Sequence, residues 1–214
     1  MTLSADSEKL TRGHKKKART RQQLLDAALK IYARKGAGEL ALNELAQEAG
    51  VSNGTVYNYF RTKEDVLEAV SLTLADELSH EVARINDSVA SGAERVAIGI
   101  RAFILRAAGN PEWAGALINI VRYAEGMRSA LGIYVRNDIR TGLCQGQFDY
   151  EDENLALGLL VSGVISAMIA IVESRFKEGD DRIVASMLLQ SLGMNSKNAR
   201  FVANKSMPNF IETK

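Results

Sequence analysis

Apolar residues recur along most of the chain at the three-and-four spacing of amphipathic helices, and the breaks between runs are glycines and asparagines rather than strand signals. From Arg19 to Lys35 the positions Leu24, Leu25, Ala28, Ile31 and Tyr32 trace one face, and Gly36 stands where a C-cap is expected. Leu42, Leu45, Ala46 and Ala49 repeat the pattern over barely two turns before Gly50. Ser52 is placed to cap a third short helix carrying Val56 and Tyr59, closed by Phe60. Thr62, with Asp65 three residues later, forms a shortened capping box for a long helix bearing Val66, Val70, Leu74 and Leu78.

The second half continues in the same way. Val96, Ile100, Phe103 and Ala107 make one stripe, ending at Gly109-Asn110-Pro111. Trp113, Leu117, Ile120, Ala124 and Met127 make another, and Leu131, Val135, Ile139 and Leu143 a third. After a polar connection from Gln145 to Asp152, residues 155–172 hold 18 positions without a charge. That length reaches the lower edge of a membrane span. Its many small residues weaken its apolar transfer energy, so a buried helix is the better reading and no membrane partner is expected. Ala156, Gly163, Ala167 and Ala170 follow a near-heptad course suited to close helix contact. They are expected at a dimer interface with Val184, Met187 and Leu188 of a last helix over 181–192. Residues 194–214 show no sustained period and read as a tail.

The fold class predicted is all-α. The division is a basic arm at 1–18, a three-helix unit at 19–63, a further helical unit at 64–193, and the tail. Charge sharpens this division. The chain's net charge is only +1, yet residues 1–63 hold 12 Lys/Arg against 6 Asp/Glu, leaving 15 against 20 in the remaining 151. Arg12, Lys15, Lys16, Lys17, Arg19 and Arg21 fall within ten positions free of acid, the composition of a polyanion-binding arm. One cysteine and two histidines offer neither a disulfide nor a zinc cage. Charged Glu8 and Lys9 lie where a secretion signal would be apolar, so a cytoplasmic setting is expected, with no cofactor.

The chemistry concentrates at Gly50-Val51-Ser52, which joins two short helices into a helix-turn-helix. Gly50 supplies the turn, Val51 fills the gap between the helices, and Ala46 is small enough for close crossing. Asn53, Gly54, Thr55 and Asn58 then face outward while Val56 and Phe60 face in. Such side chains at a helix N-terminus suit base edges in a major groove, and the helix end suits phosphate.

The run Leu45-Ala46-Gln47-Glu48-Ala49-Gly50-Val51-Ser52-Asn53-Gly54-Thr55-Val56-Tyr57-Asn58-Tyr59-Phe60-Arg61-Thr62-Lys63-Glu64-Asp65-Val66-Leu67 resembles the signature of the tetracycline-repressor-like (TetR) regulators. The resemblance covers about residues 18–70. It implies an all-helical homodimer with an N-terminal DNA-binding domain and a C-terminal pocket whose small-molecule effector controls operator affinity. By position it implies that Asn53, Gly54 and Thr55 read bases, with Asn43 a further base contact in some members. It also implies that Tyr57 and Tyr59 lean on the sugar-phosphate backbone and that Lys63 holds a phosphate; Ser52 and Asn58 flank these contacts. Leu40-Ala41 departs from the family's usual hydroxyl before helix two, and Lys16, Lys17, Arg19 and Arg21 are placed to supply the missing charge.

In the C-terminal half, Phe103, Trp113, Tyr123, Met127 and Met168 are large and polarizable enough to line an apolar pocket, with Asn119 as a polar anchor. No nucleophile elbow, phosphate loop or His/carboxylate set suggests an enzyme. The leading function is a ligand-responsive repressor acting as a dimer on an inverted repeat; the alternative is a constitutive or architectural DNA-binding dimer. Effector, operator and target genes are not legible in the residues.

Overall fold

The computed structural model describes residues 12–86, 88–123 and 125–208, excluding the side chains of Arg12, residues 37, 75–81 and 112, and those from 122 to 134. Ten α-helices and no strand occur among the described residues. They are α1 (Arg12–Lys35), α2 (Leu42–Glu48), α3 (Asn53–Tyr57), α4 (Lys63–Asn86), α5 (Gly92–Gly109), α6 (Pro111–Tyr123), α7 (Glu125–Cys144), α8 (Glu153–Val172), α9 (Asp180–Ser191) and α10 (Ser196–Ala203).

Each turn of the N-terminal unit is set by local chemistry. The Gly36 amide donates to the Tyr32 carbonyl at 3.0 Å and the backbone reverses there at φ +88°. Gly50 has φ +64° with open space around it, so its backbone, not its size, is the requirement. Ser52 Oγ accepts from the Thr55 amide at 3.1 Å. The Asp65 amide donates to Thr62 Oγ1 at 3.1 Å, and Asp65 Oδ2 accepts from the amides of Thr62 at 3.1 Å and Arg61 at 2.8 Å. Those donors hold the Asp65 carboxyl below its ordinary pKa. Ala41 gives α2 no side-chain cap.

Leu24, Leu25, Ile31, Tyr32, Leu45, Val56 and Val66 lose all or nearly all solvent contact in the core of this unit, each apolar side chain contributing about 1.5–3 kcal/mol. The same buried cluster continues into Trp113, Leu117 and Ile120 of α6 and Met168 of α8. The N-terminal unit is therefore seated on the C-terminal helices rather than tethered to them. A second cluster gathers α5, α7, α8, α9 and α10 around Ile100, Ile104, Ile139, Leu160 and Leu189.

Three features differ from the sequence reading. The first helix begins at Arg12, inside the stretch read as an arm, so the basic side chains there ride on a helix. The stretch read as a tail contains α10, capped by Asn195 at the Asn198 amide and packed through buried Ala199 and Ala203. Finally, Ala156 and Ala167 are buried within their own chain, and Gly163 meets Leu188 of α9 so closely that a Cβ would lie 2.4 Å from Leu188 Cδ2. The small-residue stripe is where α8 packs on its own subunit. Leu155 and Leu159, on the flank of that stripe, and Val172 remain exposed, as do Ile183 and Met187 of α9.

Candidate nucleic-acid interface and core cavity

The candidate DNA-reading residues are carried on α1 to α4 of the N-terminal unit and the turns between them. Asn53 and Gly54 are exposed at the first turn of α3, with Asn58 just beyond its end. Thr55 is half-buried, its Oγ1 2.9 Å from Ser52 Oγ. Asn43 is exposed on α2, its Oδ1 accepting from the Glu44 amide at 2.9 Å. Tyr57 projects into solvent at 59% exposure. Tyr59 is turned the other way, its hydroxyl donating to the Lys17 carbonyl at 3.2 Å and tying the start of α1 to the end of α3. Lys16, Lys17, Arg19 and Arg21 are exposed on those first turns of α1. The Lys63 ammonium donates to the Gly38 carbonyl at 3.1 Å, at the start of α4. These groups supply the amides, hydroxyls and positive charge that base edges and phosphates require.

The second candidate site lies among α4 to α8. A cavity of about 80 Å³ is lined by Val82 of α4, Arg95, Val96, Gly99, Ile100 and Phe103 of α5, Leu117 of α6, Val135 and Asp138 of α7, and Leu160, Val161, Val164 and Ile165 of α8. Gly92 and Gly142 let α5 and α7 cross in backbone contact, since a Cβ on Gly92 would fall 2.2 Å from the Gly142 nitrogen. That crossing sets Arg95 Nη1 3.7 Å from Asp138 Oδ1. Asn86 of α4 donates to Asp138 Oδ2 at 3.2 Å. Burial raises the Asp138 carboxyl to a pKa of about 6, against the opposing pull of Arg95 and Asn86.

Of the pocket residues expected from sequence, Phe103 lines this cavity. Trp113 stands behind it, its ring centroid 6.5 Å from that of Phe103 and the Arg106 guanidinium 5.0 Å away on its own ring. Asn119 serves a different purpose, its amide donating to the Tyr32 carbonyl at 3.0 Å and so clasping α6 to the end of α1. Met168 is fully buried in the cluster shared with the N-terminal unit. The side chains of Tyr123 and Met127 lie outside the described residues. Arg95 and Asp138 were missed by the sequence reading, although Asp138 lies three residues after Val135 of an apolar stripe, on the same helical face.

Family models match both halves: "Bacterial regulatory proteins, tetR family" over residues 24–70, and "Tetracyclin repressor-like, C-terminal domain" over 91–205. The HTH-type transcriptional regulator SrpR of Pseudomonas putida is 43% identical over 51 residues, 24% of either chain. The fatty acid metabolism regulator protein of Bacillus subtilis is 28% identical over 175 residues, 79% of this chain and 78% of its own. The crystal structure of RolR in complex with the ligand resorcinol superposes with a TM-score of 0.69 at 25% identity, covering 91% of this chain and 98% of that one. With a helix-turn-helix at its N-terminus, an all-helical C-terminal half and both family models matched, the chain belongs to the TetR family of DNA-binding transcription regulators.

Proposed function

We propose that this protein is a repressor that binds an inverted-repeat operator as a homodimer and releases it when a small, predominantly apolar effector occupies the cavity between α4 and α8. The observation that carries the reading is the double engagement of α4. Its first turn is joined to the N-terminal unit by the Lys63 ammonium on the Gly38 carbonyl and by Val66 in the shared core, and near its other end Val82 forms part of the cavity wall. The cavity is smaller than the ~150 Å³ that admits a benzene ring, so a ring entering it displaces a wall. A ligand favouring the displaced arrangement shifts the population away from the one that fits DNA. The ligand-bound RolR neighbour supports a C-terminal effector site, and the regulatory relatives support a cytoplasmic setting.

A second copy fits the exposed apolar face of Leu155, Leu159, Ile183 and Met187, and two-fold symmetry of the dimer then calls for two-fold symmetry of the operator. Sedimentation and mobility shift test both statements. Wild type should sediment as a dimer and select a palindromic site from genomic fragments. Leu159→Arg, at an exposed position that leaves the subunit core intact, should sediment as a monomer and lose at least about a hundredfold in operator affinity, since the half-sites are no longer engaged together. A dimeric Leu159→Arg places the interface elsewhere. Operator binding that no compound relieves favours the constitutive alternative.

A further inference from the structure

The described lining of the cavity is apolar except at one place, where Arg95 and Asp138 face each other. Their separation of 3.7 Å is an ion pair but too long for a hydrogen bond. Other contacts of the two side chains point elsewhere: Arg95 Nε donates to the Val89 carbonyl at 2.6 Å, and Asp138 Oδ2 accepts from Asn86. The pair therefore presents a donor, Arg95 Nη1, beside an acceptor, Asp138 Oδ1, at the edge of an apolar space. Phe103 lies eight residues further along α5, ~12 Å away at the helical rise.

From this geometry, and resting on the reading of the cavity as the effector site, we propose that Arg95 and Asp138 recognise a hydroxyl group. The effector is then a small uncharged molecule with an apolar body and a terminal alcohol or phenol. A hydroxyl donates and accepts through one atom, so it bridges the pair, with its proton toward Asp138 and its lone pair toward Arg95. A carboxylate in the same place meets the Asp138 charge, and an ammonium meets Arg95. A hydrocarbon fills the apolar end and leaves the pair unbridged. The raised pKa of Asp138 fits a carboxylate only partly compensated within the chain.

Phenol, toluene and benzoate carry three different groups on one ring and serve as probes. Their affinities for the full chain are measured by calorimetry at pH 8, where Asp138 is ionised, with DNA release followed separately by mobility shift. Phenol should bind at least tenfold more tightly than toluene or benzoate. Asp138→Leu removes the acceptor and should remove that preference. Gly99→Leu extends a side chain toward Val82 from a Cβ site in ordinary 3.8 Å contact, and should abolish binding of all three. Equal binding of phenol and toluene, a preference for benzoate, a preference that survives Asp138→Leu, or no binding of any probe overturns the proposal. The wild-type comparison decides it whether or not the variants fold. Phenol bound with the expected preference but without DNA release upholds the hydroxyl site and overturns the effector reading. Release by compounds lacking a hydroxyl does the reverse.

Discussion

Two ion pairs of equal length show how differently the DNA-binding unit and the C-terminal helices use charge. Arg34 and Glu48 join α1 to α2 at 2.8 Å, with side chains 53% and 23% exposed. Arg101 and Asp181 join α5 to α9, also at 2.8 Å, but each side chain is only 7% exposed. The first pair is screened by water and restrains two long side chains, so it adds little to folding. In the second, water is excluded and Arg101 also donates to the Lys205 carbonyl at 2.7 Å, binding α5, α9 and the segment after α10 into one unit. The N-terminal unit thus keeps its charges on the surface, available to a polyanion. The C-terminal half buries charges where their removal is felt by the whole fold.

The largest expected effect tests that contrast directly. Arg101→Ala strands the buried Asp181 carboxylate and should cost about 3–5 kcal/mol, a fall of ~2–4 °C in Tm for each kcal/mol in a chain of this size. Arg34→Ala should leave the urea midpoint unchanged. Comparable losses in the two variants would break the comparison, showing that burial does not separate the pairs.

The same contrast explains what could be read from residues alone. The turns and caps of the N-terminal unit are made between neighbours: Ser52 with Thr55, Thr62 with Asp65, Gly36 with Tyr32. Chemistry closed within three or four residues is legible in the sequence, and so was the outward set Asn53, Gly54 and Asn58. The cavity is closed over much longer separations, 52 residues between Asn86 and Asp138, so its polar end could not be assembled from spacing. Arg95 and Asp138 carry the residue types of a solvated face, and only the crossing at Gly92 and Gly142 buries them together. The periodicity of α8 also marked it as apolar without saying which face its own subunit covers. Ala156 and Ala167 lie on the intramolecular side with Leu157, Leu160 and Met168, leaving Leu155 and Leu159 outside. The missed α10 has the opposite difficulty, because its buried face offers mainly Ala199 and Ala203 over two turns.

A smaller effect sharpens the comparison from the side of the DNA-binding unit. Asn53 is exposed, so Asn53→Ala should leave Tm unchanged while removing about 1–3 kcal/mol of discrimination at the base pairs it reads. Lys63→Ala should instead weaken all sequences alike and lower the salt slope by about 0.9 for one phosphate contact. Affinities for a panel of single-base operator variants at two salt concentrations separate the two roles. A sequence preference that changes in Lys63→Ala and persists in Asn53→Ala would reverse them.

The smallest effect concerns the price of keeping Asp138 inside. Its folded pKa of about 6 lies above the ordinary 3.8, so the native state holds this proton more tightly than the unfolded chain does. Ionisation therefore withdraws stability as pH rises through that window, and the loss is complete above about 6. Among the described residues, the groups set against this carboxylate from neighbouring helices are the Arg95 guanidinium of α5 and the Asn86 amide of α4. Arg136 and Arg140 on the same helix are engaged by Glu153 of α8. Asp138→Asn removes the titration and keeps the shape, so its Tm should rise relative to wild type between pH 4.5 and 7.5. The gain should stay within about 1 kcal/mol, ~2–4 °C, because solvent still reaches the carboxylate and screens its cost. A Tm difference that is flat across this range would mean that the pair with Arg95 already compensates the charge in full, leaving Asp138 no unmet demand for a ligand's hydroxyl. A gap that widens with pH would show a charge kept against stability at the polar end of the described cavity lining, as expected of a group retained for binding.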